Sequence, residues 1–389
     1  MFILFIKLGD DMEIAICGKT NVGKSSFFKA ATMIDVEISN RIFCTIKPNV
    51  GVSYVTAPCP CTELKLKCNP RNSQCINGVR LIPVKLWDIA GLIPGAHEGR
   101  GLGNQFLNDI IQADMLIHIV DASGTTDSEG QATEGHDPSE DVRFLENEID
   151  LWFADIIKRN LEKIKDESKA SGILAGLGIR DKHVKDVMDR IGLDNIERFA
   201  REMRKLSKPM LIAANKIDLP RSEENIKKMR KDFPHLTIIP CSAEAEIALR
   251  TAAKVGFIEY IPGSKDFIIK KELNDKQKLA LQLIKTSILD KYGSTGVQEC
   301  LNRAVFDFMK YMAVYPVENE HKFSDKKGNI LPDVFLMPPG STALDFAYRV
   351  HTDIGKNFIG AIDAKTKKRV AADYVLKNGD IISIQSAAK

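Results

Sequence analysis

The glycine-rich turn at residues 18–25, with the sequence GKTNVGKS, constrains the fold more than any other feature of this chain. It follows an apolar run at residues 14–17 that predicts a strand, and it precedes a run that predicts a helix from Ser26. Gly-x4-Gly-Lys-Ser at a strand-to-helix turn is typical of a phosphate-binding loop, in which backbone N–H groups point at phosphate oxygens. A glycine-rich turn that binds nothing is the alternative, but the flanking strand and helix favour phosphate binding.

The loop also predicts roles for its side chains. Lys24 is expected to reach the β- and γ-phosphates of a nucleotide, and the Ser25 hydroxyl is expected to hold Mg²⁺. The expected nucleotide-binding residues of the loop are Gly18, Lys19, Thr20, Asn21, Val22, Gly23, Lys24, Ser25 and Ser26. We therefore expect an α/β fold, with a three-layer P-loop nucleotide domain whose mostly parallel sheet lies between helices.

Length and composition limit the class of protein. A chain of 389 residues has room for two or three domains, and 44% hydrophobic with 28% charged residues is typical of soluble globular proteins. The net charge of +3 permits a nucleic-acid partner without requiring one. Apolar stretches are too short to span a bilayer, and residues 1–6 are too short for a signal sequence. We expect a cytoplasmic protein without a membrane partner, and reduced cysteines unless the source is a thermophile.

A second motif follows residues 84–87, which predict a strand. Asp88 stands at the end of this strand and a glycine turn follows it, an arrangement that presents a carboxylate to Mg²⁺. Gly91 is expected to offer its backbone N–H to the γ-phosphate without hindrance from a side chain.

A third motif indicates which base is bound. Residues 209–214 predict a buried strand that ends in the tetrapeptide NKID, residues 215–218. Asp218 can accept hydrogen bonds from the ring N–H and the exocyclic amine of guanine, and adenine offers neither donor at that edge. The motif therefore predicts a preference for GTP and GDP.

The neighbours of Asp218 extend the predicted base site. Asn215 is expected to contact the base edge, Lys216 to lie along the base face, and the loop backbone at Ser242 and Ala243 to meet the guanine carbonyl. Each of these short motifs is weak alone, but four of them in this order, each after an apolar strand, are strong.

Together the motifs resemble the translation-factor-like class of GTPases, and residues 88–106 with residues 45–51 resemble the Obg/YchF family. The resemblance implies GTP hydrolysis with Mg²⁺, in which Thr45 completes the metal shell and senses the γ-phosphate. It implies two switch segments, residues 32–53 and residues 88–108. The catalytic residues that it implies are Asn21, Lys24, Thr45 and Gly91, and the implied Mg²⁺ ligands are Ser25, Thr45 and Asp88.

Two comparisons with related enzymes bear on activity. Ras-type enzymes carry a water-orienting glutamine directly after the glycine that matches Gly91, whereas this chain has Leu92 there. Intrinsic hydrolysis is therefore expected to be slow. The YchF branch that prefers ATP has a changed base motif, whereas the motif around Asp218 is intact here, so we expect GTP over ATP. An ATP-hydrolysing YchF-like enzyme is the alternative.

Two residues are candidates to compensate for Leu92. Asn21 occupies the position that, in potassium-stimulated relatives, helps to hold K⁺ beside the phosphates; the alternative is that it only tolerates an unusual loop dihedral. His97 is a titratable residue in a glycine-rich loop, and it is either catalytic or exposed to solvent.

Half of the eight cysteines crowd into a turn-rich segment, residues 57–80, which predicts a hairpin. These are Cys59, Cys61, Cys68 and Cys75. Four thiolates so close in sequence could hold a structural Zn²⁺, although their spacing differs from paired Cys-x2-Cys knuckles. Two disulfides and four free thiols are the alternatives.

The remaining patterns suggest domain boundaries. Residues 124–136 are polar and contain glycine, as expected of an exposed linker, and a helical pattern begins at Asp137. The predicted domains are a GTP-binding domain at 12–123, 209–243 and 293–316, with 293–316 as its last helix, helical insertions at 124–208 and 244–292, and a C-terminal domain at 331–386.

Residues 331–386 resemble the TGS module, a small β-grasp fold shared by threonyl-tRNA synthetases, these GTPases and stringent-response enzymes. Thr342 is expected to cap a helix within it. The resemblance implies contact with RNA or the ribosome. The domain also contains a basic turn that consists of Lys365, Lys367, Lys368 and Arg369. This turn either contacts phosphates or is a solvated hairpin.

Three functions fit these patterns. The first is a GTPase switch that a partner accelerates. The second is a P-loop kinase, against which the base motif at residues 215–218 argues. The third is an RNA-binding protein in which the nucleotide is structural.

Overall fold

A computed structural model of the chain describes residues 12–33, 49–89, 91, 103–164, 172, 174–175, 179 and 181–387. Its internal contacts form two compact units. The large unit contains the described residues within 12–52 and 85–300, and the small unit contains those within 53–84 and 301–387. The sequence placed the cysteine hairpin in the nucleotide domain, whereas the contacts group it with the C-terminal residues.

The strands and helices alternate along most of the chain. The strands are β1 Glu13–Cys17, β2 Asn49–Pro58, β3 Gln74–Ile76, β4 Val79–Asp88, β5 Met115–Asp121, β6 Met210–Asn215, β7 Ile238–Pro240, β8 Ile258–Glu259, β9 Ile268–Ile269, β10 Met312–Val317, β11 Phe335–Met337, β12 Phe358–Asp363, β13 Lys368–Val370 and β14 Ile381–Ser386. The helices are α1 Lys24–Thr32, α2 Pro60–Glu63, α3 Gly103–Gln112, α4 Pro138–Arg159, α5 Leu161–Ile164, α6 Asp181–Ile191, α7 Ile196–Ser207, α8 Ser222–Asp232, α9 Ala243–Lys254, α10 Asp275–Ile284, α11 Asp290–Tyr292, α12 Val297–Asn302, α13 Ala343–Val350 and α14 Thr352–Lys356. Two π-helical segments, Lys285–Leu289 and Arg303–Phe308, continue α10 and α12.

The sheet of the large unit is parallel, as the sequence predicts. Its strand order is β4, β1, β5, β6, β7, and only the second half of β4 belongs to this unit. Strands β5 and β6 are buried along their whole length, which is typical of parallel strands covered on both faces. In the register, Ile16 faces Asp88, and Asp121 faces Asn215. The carboxyl ends of these strands therefore meet at one edge of the sheet.

Helices lie within residues 138–164 and 181–207 of the predicted first insertion, among the residues that the structure describes. Asp137 caps α4 by accepting a hydrogen bond from the Ser139 amide. Helices α4 and α7 pack together, and the buried Arg204 donates to Asp150 at 2.8 Å and to Glu146 at 3.0 Å. The apolar face of α4 enters the main core of the large unit through the fully buried Ile149.

Two helical predictions need correction. Residues 244–292 contain the short antiparallel ribbon of β8 and β9 in addition to helices. Residues 312–316, predicted as the end of a helix, belong to β10, a strand favoured by its residues Val314, Tyr315 and Val317. Its Val314 is fully buried in the core of the C-terminal sheet.

The small unit contains a five-stranded sheet in the order β11, β10, β14, β12, β13, with α13 packed against β12. Helix α13 begins where the sequence predicts, since Thr342 and Asp345 form a reciprocal capping box. In the same unit, β3 pairs antiparallel with the first half of β4. Asn77 and Gly78 form the connecting turn with φ values of 49° and 80°, as a two-residue hairpin turn requires.

Among the described residues, no helix combines the length and the apolar character that crossing a bilayer requires.

Candidate functional site

The phosphate-binding loop lies between β1 and α1, at the carboxyl edge of the sheet. Gly18 has φ 139°, and a Cβ on it would lie 2.4 Å from the carbonyl oxygen of Ile119. Gly23 has φ 95°, and a Cβ on it would lie 2.3 Å from Asn215 Nδ2. Both glycines of the motif are therefore required by conformation and by space. Between them, Val22 is fully buried, and Ser26 lies in the first turn of α1.

Lys24, Ser25 and Asp88 lie together at this loop. The Lys24 ammonium donates to the Lys19 carbonyl at 2.5 Å, and burial lowers the pKa of Lys24 while the charge of Asp88 opposes this shift. The Ser25 hydroxyl donates to Asp88 Oδ2 at 3.2 Å. A hydroxyl beside a carboxylate is a pair of hard oxygen ligands that suits Mg²⁺. A Cβ on Gly91 would lie 3.3 Å from Lys24 Nζ, so a side chain there would crowd the loop.

Asn215 joins the phosphate-binding loop to the predicted base segment. Its Nδ2 donates to the Val22 carbonyl at 3.0 Å, and its Oδ1 accepts from the Ala243 amide at 3.1 Å. The sequence predicted a contact between Asn215 and the base edge. The structure places both of its polar atoms in hydrogen bonds that connect two loops, and its contact with a base stays a prediction.

Asp218 lies next to Ser242, as the predicted base site requires. The Ser242 hydroxyl donates to Asp218 Oδ1 at 2.8 Å and also caps α9. A carboxylate has several acceptor positions, so this bond orients Asp218 and leaves capacity for further donors.

Asp121, at the end of β5, is a residue of this edge that sequence reasoning missed. The Lys216 ammonium donates to Asp121 Oδ2 at 2.9 Å, and the Ser123 hydroxyl donates to Oδ1 at 2.5 Å. Burial would raise the pKa of Asp121, but the hydrogen bonds from Ser123 and Lys216 outweigh it and lower the pKa. The available signal was its position, because Asp121 ends a buried parallel strand just as Asp88 does.

The 121–137 loop packs onto the phosphate-binding loop. Lys19, Thr20 and Asn21 donate from their side chains to carbonyl oxygens of this loop, at 2.8 Å to Thr126, 3.0 Å to Glu129 and 2.8 Å to Gly130. The prediction of an exposed linker at 124–136 is therefore wrong for Thr126 and Gly130, which are buried. Backbone carbonyls have no sequence signature, so the contact could not be predicted.

A buried ion pair strengthens this junction. The Lys19 ammonium lies 2.8 Å from Asp141 Oδ2, and both side chains are buried. His136 Nε2 lies 2.8 Å from Asp141 Oδ1. Burial raises the pKa of Asp141, and the charge of Lys19 opposes the shift. A buried pair of this kind is costly to break, because removal of one partner leaves the other charge uncompensated.

Three predicted residues lie outside the described residues. These are Thr45, Leu92 and His97. Their predicted roles stay predictions.

The four clustered cysteines converge in space. The sulfur atoms of Cys59, Cys61, Cys68 and Cys75 all lie within 4.8 Å of one another, so the group could hold a metal ion.

Comparisons with known families agree with this arrangement. Residues 13–153 match the model of the 50S ribosome-binding GTPases. Residues 213–319 match the G4 motif-containing domain of Obg-like, YGR210-like GTPases, and residues 323–386 match the TGS domain.

Similar proteins cover between 74% and 97% of the chain. An uncharacterised GTP-binding protein of Methanocaldococcus jannaschii is 51% identical over 97% of this chain and 99% of its own. The ribosome-binding ATPase YchF of Bacillus subtilis is 28% identical over 74% of this chain and 79% of its own. The crystal structure of a GTP-binding protein from Pyrococcus horikoshii is 43% identical, with a TM-score of 0.75 over 97% of this chain and 100% of that one.

Proposed function

Because the chain belongs to the Obg/YchF-like family of P-loop GTP-binding proteins with a C-terminal TGS domain, we propose that it hydrolyses GTP slowly, as a conformational switch. Water is the nucleophile, and GDP and phosphate are the products. Leu92, where related enzymes have glutamine, supports a slow intrinsic rate and acceleration by a partner.

The observation that carries this proposal is the double hydrogen bond of Asn215. It connects Val22 in the phosphate-binding loop with Ala243 beside the base-reading segment. A single preorganised edge of the sheet can therefore bind the phosphates of one nucleotide and contact its base.

Each half of the site has a distinct task in this proposal. Lys24 and the loop amides bind the β- and γ-phosphates, and Ser25 and Asp88 hold Mg²⁺ together with Thr45. The metal, when bound, neutralises charge that develops on the phosphate oxygens. Asp218 accepts from the two guanine donors, which favours GTP over ATP.

Asn21 is the proposed site of a potassium effect. Its Nδ2 is held by Gly130, and its side-chain oxygen carries the acceptor that a K⁺ beside the phosphates requires. If K⁺ acts there, it stabilises developing charge as an arginine finger does.

The proposed partner is the ribosome or its RNA. Two findings support this partner: residues 13–153 match the ribosome-binding GTPases, and the similar YchF proteins are ribosome-binding ATPases. The basic turn offers Lys368 and Arg369, which are exposed on β13. Lys365 contributes less, because it lies 2.7 Å from Glu63 in an ion pair. Such a partner also agrees with the predicted cytoplasmic location.

The decisive experiment is steady-state GTP hydrolysis with and without ribosomes, in KCl and in NaCl. We expect slow turnover of the protein alone and a large acceleration by ribosomes that declines with added salt. Equal rates in the two salts would remove the potassium role of Asn21. If ATP bound as tightly as GTP in a parallel titration, the base assignment would be wrong. Bound GDP without any release of phosphate would favour a structural nucleotide.

A further inference from the structure

The four-cysteine cluster has the geometry of a tetrahedral metal site. A Zn²⁺ with sulfur ligands at about 2.3 Å separates neighbouring sulfurs by roughly 3.8 Å. The sulfurs of Cys61 and Cys75 are 3.9 Å apart, and all four lie within 4.8 Å of one another. A disulfide needs about 2.05 Å, and all four thiols are free.

The four ligands come from separate pieces of one compact scaffold. Cys59 follows β2, Cys61 lies in α2, Cys68 lies in the next loop, and Cys75 lies on β3. The Cys59 amide donates to the Gly78 carbonyl at 2.8 Å, which fastens α2 to the turn of the β3–β4 hairpin. The ligands are therefore held in place by the backbone, as structural zinc sites require.

Arg80 supplies an independent observation at the same place. It is the cross-strand partner of Cys75 in the hairpin, so the two side chains share one face of the ribbon. Arg80 is fully buried, and it donates to the Ser73 hydroxyl at 3.1 Å and to the Leu331 carbonyl at 2.7 Å. Its guanidinium carbon lies 5.4 Å from the centre of the Tyr315 ring.

This buried cation has no anion in the part of the chain that the structure describes. No described carboxylate pairs with Arg80, and its Nε has no hydrogen-bond partner there. A buried charge without a counter-charge is strongly unfavourable. Four thiolates outweigh one divalent cation in charge, so a zinc tetrathiolate centre would be negative. It would lie on the face of the hairpin that carries Arg80.

We propose that Cys59, Cys61, Cys68 and Cys75 bind a structural Zn²⁺ as four thiolates and that Arg80 is the buried cation that compensates the charge of this centre. Soft thiolate ligands favour zinc over Mg²⁺, so the site is chemically distinct from the nucleotide site. Arg80 is a positioning residue, since it acts on the ligands and not on the metal.

The centre also has a structural consequence. The residues between Cys68 and Cys75 pair with residues 330–334, just before β11. The Asn69 amide donates to the Ile330 carbonyl at 2.8 Å, and the Arg71 amide donates to the Pro332 carbonyl at 2.7 Å. Zinc fixes both ends of this loop and thereby holds it against the segment that enters the C-terminal sheet.

The metal itself is tested on the full-length protein purified without chelator. We expect about one zinc per chain by elemental analysis, and the absorption of a tetrahedral thiolate site after Co²⁺ replaces it. Cys68→Ser should lose the metal, while Cys300→Ser, at a cysteine outside the cluster, should keep it. Wild-type protein that lacks zinc and gives no such Co²⁺ spectrum would overturn the proposal, even if Cys68→Ser does not fold.

The role of Arg80 is tested by competition with a zinc chelator. Arg80→Met should weaken zinc affinity about tenfold or more, and Arg80→Lys, which keeps the charge, should weaken it less. Equal affinities of the two variants and wild type would contradict charge compensation. Zinc removal should also speed hydrogen exchange at the amides of Asn69 and Arg71, while GDP affinity stays unchanged. Unchanged exchange would remove the fastening role, whatever GTP hydrolysis shows.

Discussion

Asn215 and Asp218 belong to one short segment, yet their hydrogen bonds differ, and we infer different tasks for them. Asn215 uses its side-chain amide in hydrogen bonds with Val22 and Ala243, so it holds the two loops together. Asp218 is oriented by Ser242 and keeps acceptor capacity for a base. A change at Asn215 should therefore affect every nucleotide, and a change at Asp218 should affect only the choice of base.

Asp218→Asn should weaken GTP binding by about 10- to 100-fold, because hydrogen bonds to a charged group are lost. Binding of xanthosine triphosphate should improve, since xanthine carries a carbonyl where guanine carries the exocyclic amine, and an amide can donate to it. Asn215→Ala is the matched control and should weaken both nucleotides by a similar factor. Titrations with fluorescent GTP and xanthosine triphosphate measure this, and parallel behaviour of the two variants would contradict the division of tasks.

His118 on β5 predicts a pH dependence of stability. Burial, and then the charges of Lys24 and Lys19, lower the pKa of His118 to about 3. Its unfolded pKa is about 6.5, so the unfolded state binds the extra proton first, and stability falls as the pH falls from 6.5 towards 3. This group alone should cost about 2 kcal/mol between pH 7 and pH 5.

The measurement is urea unfolding at the two pH values. His118→Leu should flatten the pH dependence by that amount, although cavity effects shift its stability at both values alike. His321→Ala, at an exposed histidine, should leave the pH dependence as it is in wild type. An unaltered pH dependence in His118→Leu would show that this histidine is not the group responsible.

At the scale of elements, the 121–137 loop is the part of the site whose contacts the sequence predicted least. Three of its carbonyls accept hydrogen bonds from side chains of the phosphate-binding loop. Gly130 makes the approach close: a Cβ there would lie 2.0 Å from Thr20 Oγ1 and 2.8 Å from the Thr20 carbonyl. This loop is therefore part of the support of the nucleotide site.

Gly130→Ala should lower GDP affinity about tenfold, through displacement of Thr20 and the strain of a left-handed residue. Gly192→Ala is the matched control, because Gly192 has a similar φ of 68° but has no atom within 4 Å of an added Cβ. The Gly192→Ala variant therefore has the strain of a left-handed alanine but no clash like that of Gly130→Ala with Thr20. Isothermal titration of GDP separates the two effects, and equal affinities of the two variants would rule out support by the loop.

Local rules predicted many of the elements themselves. Asp137 and Thr342 cap helices where the sequence indicates, and β6 follows from the apolar run at residues 209–214. The ribbon of β8 and β9 was missed, because two short strands give too little periodicity to detect.

At the scale of the whole molecule, the two units have separate cores, and the proposed nucleotide and zinc sites belong to different units. The large unit contains the nucleotide loops and the core around Phe153, and the small unit contains the cysteines and the core around Phe346. Within the described part of the chain, the small unit is formed by two distant stretches, residues 53–84 and 301–387. Each ligand is therefore expected to stabilise the unit that binds it.

Scanning calorimetry with GDP and with a zinc chelator tests this expectation. GDP at a hundredfold excess over its Kd should stabilise the large unit by about 2.7 kcal/mol and leave the small unit unchanged. The chelator should lower only the transition of the small unit. Equal shifts of every transition by both reagents would show that the units do not respond separately.

The sequence by itself determined the strand–loop–helix arrangement of residues 13–32, the buried strand that precedes Asp218 and the helix cap at Thr342, because these depend on interactions between near neighbours. Only the tertiary structure decided that Asn215 bridges two loops, that Lys19 pairs with Asp141, and that the buried Arg80 donates to the Leu331 carbonyl. These contacts join residues that are distant along the chain. Strand order and register bring them together, and a pattern of neighbouring residues carries no record of that order.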